Sequence, residues 1–186
     1  MVTFEVGGIA IRANTSPDLF SPKGLDGGTR ILLESIDKQK YIYKTALDWG
    51  CGWGAMALWL GKNSPDAQVI GLDSDIGAVS VAKANAQLNG LSNIEILASH
   101  GFSEINNEKK FDLIVSNPPT HRGREVVEQM IAQSFDILND GGNILIVVEA
   151  RLKPWVARQM KQVAGDYKIA NRGPKHVVLM ATKMVQ

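Results

Sequence analysis

Short apolar runs alternate with longer segments of helical spacing along most of the chain, and this alternation constrains the fold more than any other feature. The runs have the length of strands and few polar residues; they are residues 43–48, 68–73, 94–98, 113–116 and 143–148. Such runs are typical of parallel strands that are covered by helices on both faces. The succession of βα units therefore predicts an α/β fold with a doubly wound, mostly parallel, seven-stranded sheet of the Rossmann-like kind.

The two ends of the chain add antiparallel pieces to this prediction. Residues 2–6 and 9–13 flank two glycines and predict a small N-terminal β-hairpin. Near the C-terminus, the pattern predicts a helix over 152–164 and an antiparallel strand pair, 167–170 and 177–182, separated by a turn at 171–174. We expect another turn at 139–142 to end the preceding helix.

The length of 186 residues predicts one domain. We divide it into an N-terminal hairpin (1–15), a lid-side helix (16–40) and a core (41–186). A mean hydropathy of −0.05, no membrane-length apolar run and no signal-peptide pattern at the start favour a cytoplasmic protein that binds no membrane. A single cysteine excludes an intrachain disulfide, and the three histidines lack metal-ligand spacing, so we expect no metal.

The net charge of +1 hides an uneven distribution of charge along the sequence. From residue 150 onward, eight basic residues stand against one acid, which leaves twelve basic and eighteen acidic residues in the first 149. A basic C-terminal third of this kind indicates a phosphate-binding face, as in proteins that bind nucleic acids. The alternative interpretation is lysines and arginines that simply solvate exposed helix faces.

A glycine-rich loop, Asp48-Trp49-Gly50-Cys51-Gly52-Trp53-Gly54, follows the first strand of the predicted sheet. Its glycines allow a tight turn and a close approach of backbone to ligand, at the amino end of the following helix. The pattern also fits the dinucleotide fingerprint, which is a weak signal. Asp48 would repel a pyrophosphate and suits a cationic ligand instead. Asp73 ends the next strand, where a carboxylate can accept both hydroxyls of a ribose.

The tripeptide Asn117-Pro118-Pro119 directly follows another apolar run. Two successive prolines cannot donate to a strand ladder, so they end the strand and hold the residues before them extended. This leaves the Asn117 side chain and the Pro118 carbonyl fixed as hydrogen-bond acceptors, an arrangement suited to an amino group. Together with the glycine loop and its acids, the tripeptide indicates methyl transfer from a sulfonium nucleoside to a planar nitrogen.

These segments carry a family resemblance. Residues 47–54, Asp73 and 116–119 resemble the motifs of class I S-adenosylmethionine-dependent methyltransferases. Within that class the chain is similar to the "methyltransferase small" group, which contains bacterial ribosomal RNA guanine-N2 methyltransferases and single-domain archaeal relatives. Residues 20–29, 102–104 and 171–173 match further markers of the group, so the resemblance covers residues 18–183.

The motifs and the resemblance together imply a role for each site residue. Asn117 and Pro118 are the predicted catalytic residues, which accept hydrogen bonds from an exocyclic amine. The cofactor S-adenosyl-L-methionine is expected to contact Thr29, Asp48, Gly50, Cys51, Gly52, Gly54, Asp73, Ser74, His100, Gly101 and Asn117. The substrate is expected to contact Pro119, Thr120, Arg122, Arg124 and Arg172.

Two departures from the group bear on the acceptor. Thr120 stands where the superfamily often has an aromatic residue that stacks on the target base, so stacking must come from elsewhere or the acceptor is not a base. The bacterial guanine enzymes also have an additional N-terminal domain, so substrate delivery is expected to differ. The resemblance implies methylation of guanine N2 in RNA, with ribosomal RNA favoured over transfer RNA. The alternatives are a protein glutamine or DNA adenine-N6 methyltransferase, or a non-catalytic RNA-binding module, and the oligomeric state stays open.

Overall fold

The computed structural model of the protein describes residues 1–106, 108–120 and 123–185. Within these residues the strands are β1 Val2–Val6, β2 Ile9–Ala13, β3 Thr45–Trp49, β4 Gln68–Asp73, β5 Ile94–Ala98, β6 Phe111–Ser116, β7 Leu138–Glu149, β8 Lys168–Arg172 and β9 His176–Thr182. The helices are α1 Gly27–Gln39, α2 Ala55–Asn63, α3 Ile76–Leu88, α4 Arg124–Ile137 and α5 Lys153–Ala164. No helix in the described part of the chain is long and apolar enough to cross a membrane.

The described strands β3–β9 form one seven-stranded sheet in the order β5-β4-β3-β6-β7-β9-β8. The pairs from β5 to β7 are parallel, and β9 runs antiparallel to both of its neighbours. β1 and β2 form a separate antiparallel hairpin. The predicted fold class is confirmed, including the N-terminal hairpin and the antiparallel strand near the C-terminus.

The strand order reverses between β3 and β6, and this reversal positions the site. The chain runs outward from β3 through β4 to β5, and then returns to place β6 on the other side of β3. Helices leave these two central strands on opposite faces, so a crevice opens at their carboxyl ends. The glycine loop follows β3 and the Asn-Pro-Pro tripeptide follows β6. Both predicted motifs therefore lie at the topological switch point.

Helices cover both faces of the sheet, as the apolar strands require. α1, α2, α3 and the hairpin enclose one buried cluster, and α4 and α5 enclose the other. Trp59 of α2 is wholly buried, and its indole Nε1 donates to the carbonyl of Val6 at 3.1 Å. The N-terminal hairpin therefore packs into the same core as the sheet.

The predicted turn at 139–142 is wrong, because this segment belongs to β7. α4 ends at Ile137, and Leu138 already pairs with Phe111 of β6. A register shift between Phe111 and Leu113 absorbs the irregular backbone, and the Asn139 side-chain amide donates to Asp112 at 2.7 Å. Cross-strand pairing therefore overrides the local turn propensity of the two glycines here.

The predicted turn at 171–174 is also displaced. β8 extends to Arg172, and a register shift between Ile169 and Asn171 keeps it paired with β9. The Asn171 side-chain amide donates to the Ile31 carbonyl of α1 at 2.9 Å, which fixes this strand against the helix. A Cβ on Gly173 would stand 3.4 Å from the Ile31 side chain, an ordinary van der Waals distance, so the turn residue also lies against α1. The marker at 171–173 thus has a packing role in this fold.

Candidate active site

A cavity of about 1030 Å³ opens at the switch point, above the carboxyl ends of the central strands. Its walls come from the glycine loop, the ends of β4 and β6, the loop after β5, the segment that leads into α1, and the start of α5. It brings together most of the predicted site residues: Thr29, Gly50, Cys51, Gly52, Asp73, Ser74, His100, Gly101, Asn117, Pro118, Pro119, Thr120 and Arg124. Asp48, Gly54 and Arg172 do not line it.

The glycine loop is held in place by hydrogen bonds to the end of β4. The N–H groups of Gly50 and Cys51 donate to the Leu72 carbonyl at 2.8 and 2.9 Å. Gly50 and Gly52 have φ values of 75° and 54°, a region that side chains with a Cβ rarely adopt. The loop is therefore a rigid floor of bare backbone.

Asp73 reaches this floor from the end of β4. Its Oδ2 accepts the N–H of Gly52 at 2.8 Å, and its Oδ1 accepts the N–H of Asp75 at 2.9 Å. Each carboxylate oxygen has further acceptor capacity, and the side chain is half-buried in the cavity wall. Asp73 thus connects the loop to its own strand and presents negative charge to a ligand.

Asp48 lies beneath the loop rather than in the cavity. Its carboxylate is wholly buried, with Oδ2 accepting the N–H of Ala57 in α2 at 2.8 Å and Oδ1 without a hydrogen-bond partner among the described residues. Burial, with a smaller contribution from the negative charge of Asp73, outweighs the hydrogen bond from Ala57 and raises the pKa of Asp48 from 3.8 to about 7. The placement departs from the prediction of direct ligand contact, because α2 covers this side chain.

Gly54 also has a packing role in this arrangement. It precedes the first residue of α2 with φ 93°, and a Cβ there would stand 3.2 Å from the Cβ of Ala82 in α3. The glycine therefore allows α2 and α3 to approach closely behind the loop.

Burial, with the nearby negative charge of Asp48, raises the pKa of the Cys51 thiol well above its usual value, so this cysteine stays a neutral thiol.

The Asn117 side chain is oriented by the start of α1. Its Nδ2 donates to Asp26 Oδ1 and Oδ2 at 3.2 and 3.3 Å and to Thr29 Oγ1 at 3.1 Å. Asp26 is also the N-cap of α1, where Oδ1 accepts the N–H groups of Gly28 and Thr29 at 2.9 and 3.2 Å. These contacts engage the amide nitrogen and leave the Asn117 carbonyl oxygen turned away from α1.

The two prolines continue the wall beyond Asn117. The Pro118 carbonyl already accepts the N–H of Thr120 at 2.8 Å, which forms a tight turn and leaves one lone pair on this oxygen. Ser116 donates its hydroxyl to the Trp49 carbonyl at 2.7 Å, so the ends of β6 and β3 are connected directly. The Asn-Pro-Pro backbone and the glycine loop therefore form one rigid unit.

The predicted substrate arginines have different locations. Arg124 begins α4 and lines the cavity, with its guanidinium carbon 5.4 Å from the ring centroid of Trp155. Arg172 is exposed on the edge strand β8 and does not line the cavity. Arg122 and His121 lie outside the described residues. The basic residues after position 150 belong to α5, to β8 and to the segments that flank α5 and β9, at one end of the sheet.

Several cavity residues carried no recognisable signal as parts of a site. Asp26 contacts Asn117 from 91 positions away, and Trp155 lies 31 residues beyond Arg124. His176 lines the cavity from β9 and stands close enough to α1 that a Cβ on Gly28 would lie 3.2 Å from its ring. The contact between Asp26 and Asn117 appears only once the chain has folded.

The site can also be compared with those of known proteins. The structure of the Thermus thermophilus 16S rRNA N2 G1207 methyltransferase (RsmC) in complex with AdoMet and guanosine matches 98% of this chain and 50% of its own, with a TM-score of 0.88 and 25% identity. The chain is 38% identical over 157 residues to ribosomal RNA small subunit methyltransferase C of Haemophilus influenzae (strain PittGG), covering 82% of this chain and 46% of the relative.

A relative of similar length is also found. The uncharacterized protein YbxB of Bacillus subtilis (strain 168) is 27% identical over 167 residues, which span 89% of this chain and 83% of YbxB. The chain thus spans about half the length of the ribosomal RNA methyltransferases it matches. The family model for the methyltransferase small domain matches residues 10–180. A match of this extent, together with the motifs at the switch point, means that the chain belongs to the methyltransferase small domain family.

Proposed function

We propose that this protein transfers a methyl group from S-adenosyl-L-methionine to the exocyclic N2 amine of a guanine in RNA, with ribosomal RNA as the favoured substrate and transfer RNA as the second. The observation that carries the proposal is the orientation of the Asn117 amide. The similarity to ribosomal RNA methyltransferases, one of them solved in complex with AdoMet and guanosine, supports the same chemistry.

The residues around the glycine loop fit this cofactor. A Cβ at Gly50 or Gly52 would meet no atom within 4 Å, so open space lies beside the bare backbone of the loop. Asp73 lines this end of the cavity and offers a carboxylate to ribose hydroxyls. A cavity of about 1030 Å³ has room for a nucleoside cofactor beside an acceptor base. S-adenosyl-L-methionine, when bound, supplies the electrophilic methyl carbon.

Asn117 and Pro118 act on the acceptor. Since Asp26 and Thr29 engage the Asn117 Nδ2, the amide presents its oxygen as an acceptor for one N–H of the amine. The remaining lone pair of the Pro118 carbonyl accepts the other N–H. Two acceptors at fixed positions reduce delocalisation of the nitrogen lone pair into the ring and direct it out of the ring plane.

Orientation and preorganised dipoles then supply most of the rate enhancement. The Asn-Pro-Pro unit needs no reorganisation during the reaction, because β3, β6 and α1 already hold it. A strong general base is not required, since the amine proton becomes acidic only as the nitrogen is alkylated and then passes to solvent water. This chemistry depends on neutral acceptors.

The experiment measures the methylated product directly. Purified protein is incubated with labelled S-adenosyl-L-methionine and separate pools of hypomethylated ribosomal RNA, transfer RNA, DNA and protein, followed by mass spectrometry of nucleosides and amino acids. We expect N2-methylguanosine in the ribosomal RNA pool. Calorimetry should also give micromolar-range binding of the cofactor, and Asp73→Ala should abolish it.

Other products would contradict specific parts of the proposal. Methylated glutamine or N6-methyladenine without N2-methylguanosine would replace the guanine acceptor with a protein amide or an adenine. Tighter binding of NADH than of S-adenosyl-L-methionine would contradict the cofactor assignment itself. RNA binding without any product in the four pools would favour a non-catalytic RNA-binding module.

A further inference from the structure

We propose that the guanidinium of Arg124, supported by the indole of Trp155, is the surface on which the acceptor base stacks, in place of the aromatic residue that Thr120 lacks. The inference deepens the proposed function, and it requires that the acceptor is a nucleobase. It assigns Arg124 to the base itself, whereas the sequence pattern alone suggested substrate contact of an unspecified kind.

Trp155 is a fixed support for this surface. It is 9% exposed in the first turn of α5, and its indole Nε1 donates to Glu128 Oε1 of α4 at 2.7 Å. Gln159 donates to the same carboxylate oxygen at 3.3 Å. The ring is thereby connected to both helices that form this wall, and its face remains available to the Arg124 guanidinium.

Local electrostatics do not explain an arginine at this position. Arg124 is the first residue of α4, where the helix dipole disfavours a cation. No carboxylate in the described parts of the chain lies within ion-pair distance of its guanidinium. Its described partner is the Trp155 ring, 5.4 Å from the guanidinium carbon. The guanidinium lies over the ring and the Arg124 side chain is exposed, so it remains accessible to a ligand in the cavity.

The location matches the missing stacking residue. Arg124 follows Thr120 by four residues, and both line the cavity together with Pro119 and Trp155. Phe20 is an exposed aromatic residue of the cavity wall, but its backbone carbonyl accepts the indole N–H of Trp53 at 3.1 Å, which holds this part of the chain beside the glycine loop. Arg124 and Trp155 therefore supply a planar surface on the acceptor side, where proteins that read unpaired bases use aromatic rings or guanidinium planes.

Titration with a nucleoside, which has no phosphate, distinguishes a stacking contact of Arg124 from a phosphate contact. Guanosine and adenosine are titrated into the protein in the presence of S-adenosylhomocysteine, for the wild type and for Arg124→Lys and Arg124→Ala. Lysine keeps the charge but has no planar face. We expect both variants to weaken the binding of the preferred nucleoside about tenfold, as for loss of one stacking contact. Arg12→Lys and Arg12→Ala, on the N-terminal hairpin away from the cavity, serve as matched controls with unchanged affinity.

A double-mutant cycle tests whether the two residues act together. Trp155→Leu retains apolar packing without a ring, and we expect its loss of nucleoside affinity to overlap with that of Arg124→Ala rather than add to it. A purely structural role for Trp155 would lower the unfolding midpoint and leave the losses additive, which would overturn the proposal. Thermal unfolding is measured for each variant, and the cycle is repeated with Trp155→Phe, which keeps a ring and should keep most of the affinity.

The remaining outcomes are also decisive. Full nucleoside affinity in Arg124→Lys, with a shallower salt dependence of RNA binding in Arg124→Ala, would assign Arg124 to a phosphate and overturn the stacking surface. Absence of nucleoside binding by the wild type would overturn it as well. Since both purine nucleosides are used, a wild type that prefers adenosine would contradict the guanine assignment while the Arg124 variants still test the surface. N2-methylguanosine formation with unchanged nucleoside affinity in the variants would contradict the surface alone.

Discussion

The cofactor end and the acceptor end of the cavity are built in different ways. At the cofactor end, the glycine loop and Asp73 come from two adjacent strands; loop N–H groups donate to the Leu72 carbonyl and to the Asp73 carboxylate at 2.8–2.9 Å. At the acceptor end, Asn117 depends on Asp26 of the N-terminal third, and Arg124 rests on Trp155 of α5. The first region is held by the sheet, and the second by side chains from distant parts of the chain.

This difference indicates at which end of the cavity side chains can be replaced without altering the fold. Backbone contacts at the carboxyl ends of parallel strands persist when side chains change, so the cofactor end suits a constant ligand. The acceptor end is assembled from side chains on α1, α4 and α5, which can be replaced without altering the sheet. Thr120 illustrates this, because a different stacking surface can serve where the aromatic residue is lacking. Four substitutions test the contrast between the two ends.

The largest effect on catalysis is expected at Asn117. Asn117→Ala removes an acceptor that acts mainly on the transition state, so kcat should fall about 100-fold or more with little change in cofactor affinity. Steady-state kinetics and calorimetry on the same preparation check both parts. Asn63→Ala, at the far end of α2, is the matched control and should retain the wild-type kcat. Near-full activity of Asn117→Ala would rule out the amine-binding mechanism.

Asp48 should affect stability rather than acceptor recognition. Its pKa is raised in the folded protein, so between pH 4 and pH 7 the folded state binds more protons than the unfolded state. The free energy of unfolding therefore falls as the pH rises through this range, and the loss is complete above about pH 7. Asp48→Asn removes this titrating group. Relative to the wild type, the free energy of unfolding of the variant should rise by on the order of a few kcal/mol between pH 4 and pH 8.

Urea unfolding of both proteins without ligand, at several pH values across this range, measures the difference. Parallel pH profiles for the wild type and Asp48→Asn would contradict a buried carboxyl with a raised pKa. Guanosine affinity, measured at pH 7.5 on the folded variant, should stay the same as in the wild type. A large loss of guanosine affinity would mean that the two ends of the cavity are coupled through the glycine loop.

The sequence predicted the cofactor end better than the acceptor end for a physical reason. Gly50, Gly52 and Asp73 lie next to strands whose apolar pattern is unambiguous, and the carboxyl ends of neighbouring parallel strands must meet. No sequence spacing predicts the contact between Asp26 and Asn117, because it depends on where α1 packs. Arg172 looked like a substrate residue from its motif, but the structure places it on the edge strand, and its neighbour Asn171 fixes β8 to α1.

Asp48 and Gly54 illustrate the complementary limit of sequence reasoning. Their position within the glycine loop suggested contact with the ligand, and the structure instead places both against α2. A motif records the residues that a loop requires, and it does not separate those that contact the ligand from those that hold the loop. Burial makes that separation, since Asp48 is wholly enclosed whereas Asp73 is half-buried in the cavity wall.

Asp26→Asn, at the acceptor end, should have an intermediate effect on kcat. Asparagine caps a helix about as well as aspartate, so α1 should remain stable. It offers Asn117 a neutral acceptor in place of a carboxylate, and hydrogen bonds to charged groups are the stronger ones. We expect kcat to fall about tenfold with unchanged unfolding temperature and cofactor affinity. Asp37→Asn, which removes an acid from the other end of α1, is the control; a matching loss of activity there would contradict a specific role for Asp26.

The smallest effect, and the most direct test of how the acceptor end varies, is expected at Thr120. Its side chain lines the cavity, and its backbone N–H bond to Pro118 does not depend on the side chain, so Thr120→Phe can be accommodated on the same turn. We expect a few-fold gain in guanosine affinity in the wild-type background, since one ring adds stacking where Arg124 already supplies it. In the Arg124→Ala background the gain should be larger, because the new ring replaces the lost surface. Thr120→Val, which is branched but has no ring, should give no gain in either background. Equal gains from Thr120→Phe in both backgrounds would mean that the two positions contact different parts of the substrate, and that the acceptor end does not exchange one stacking surface for another.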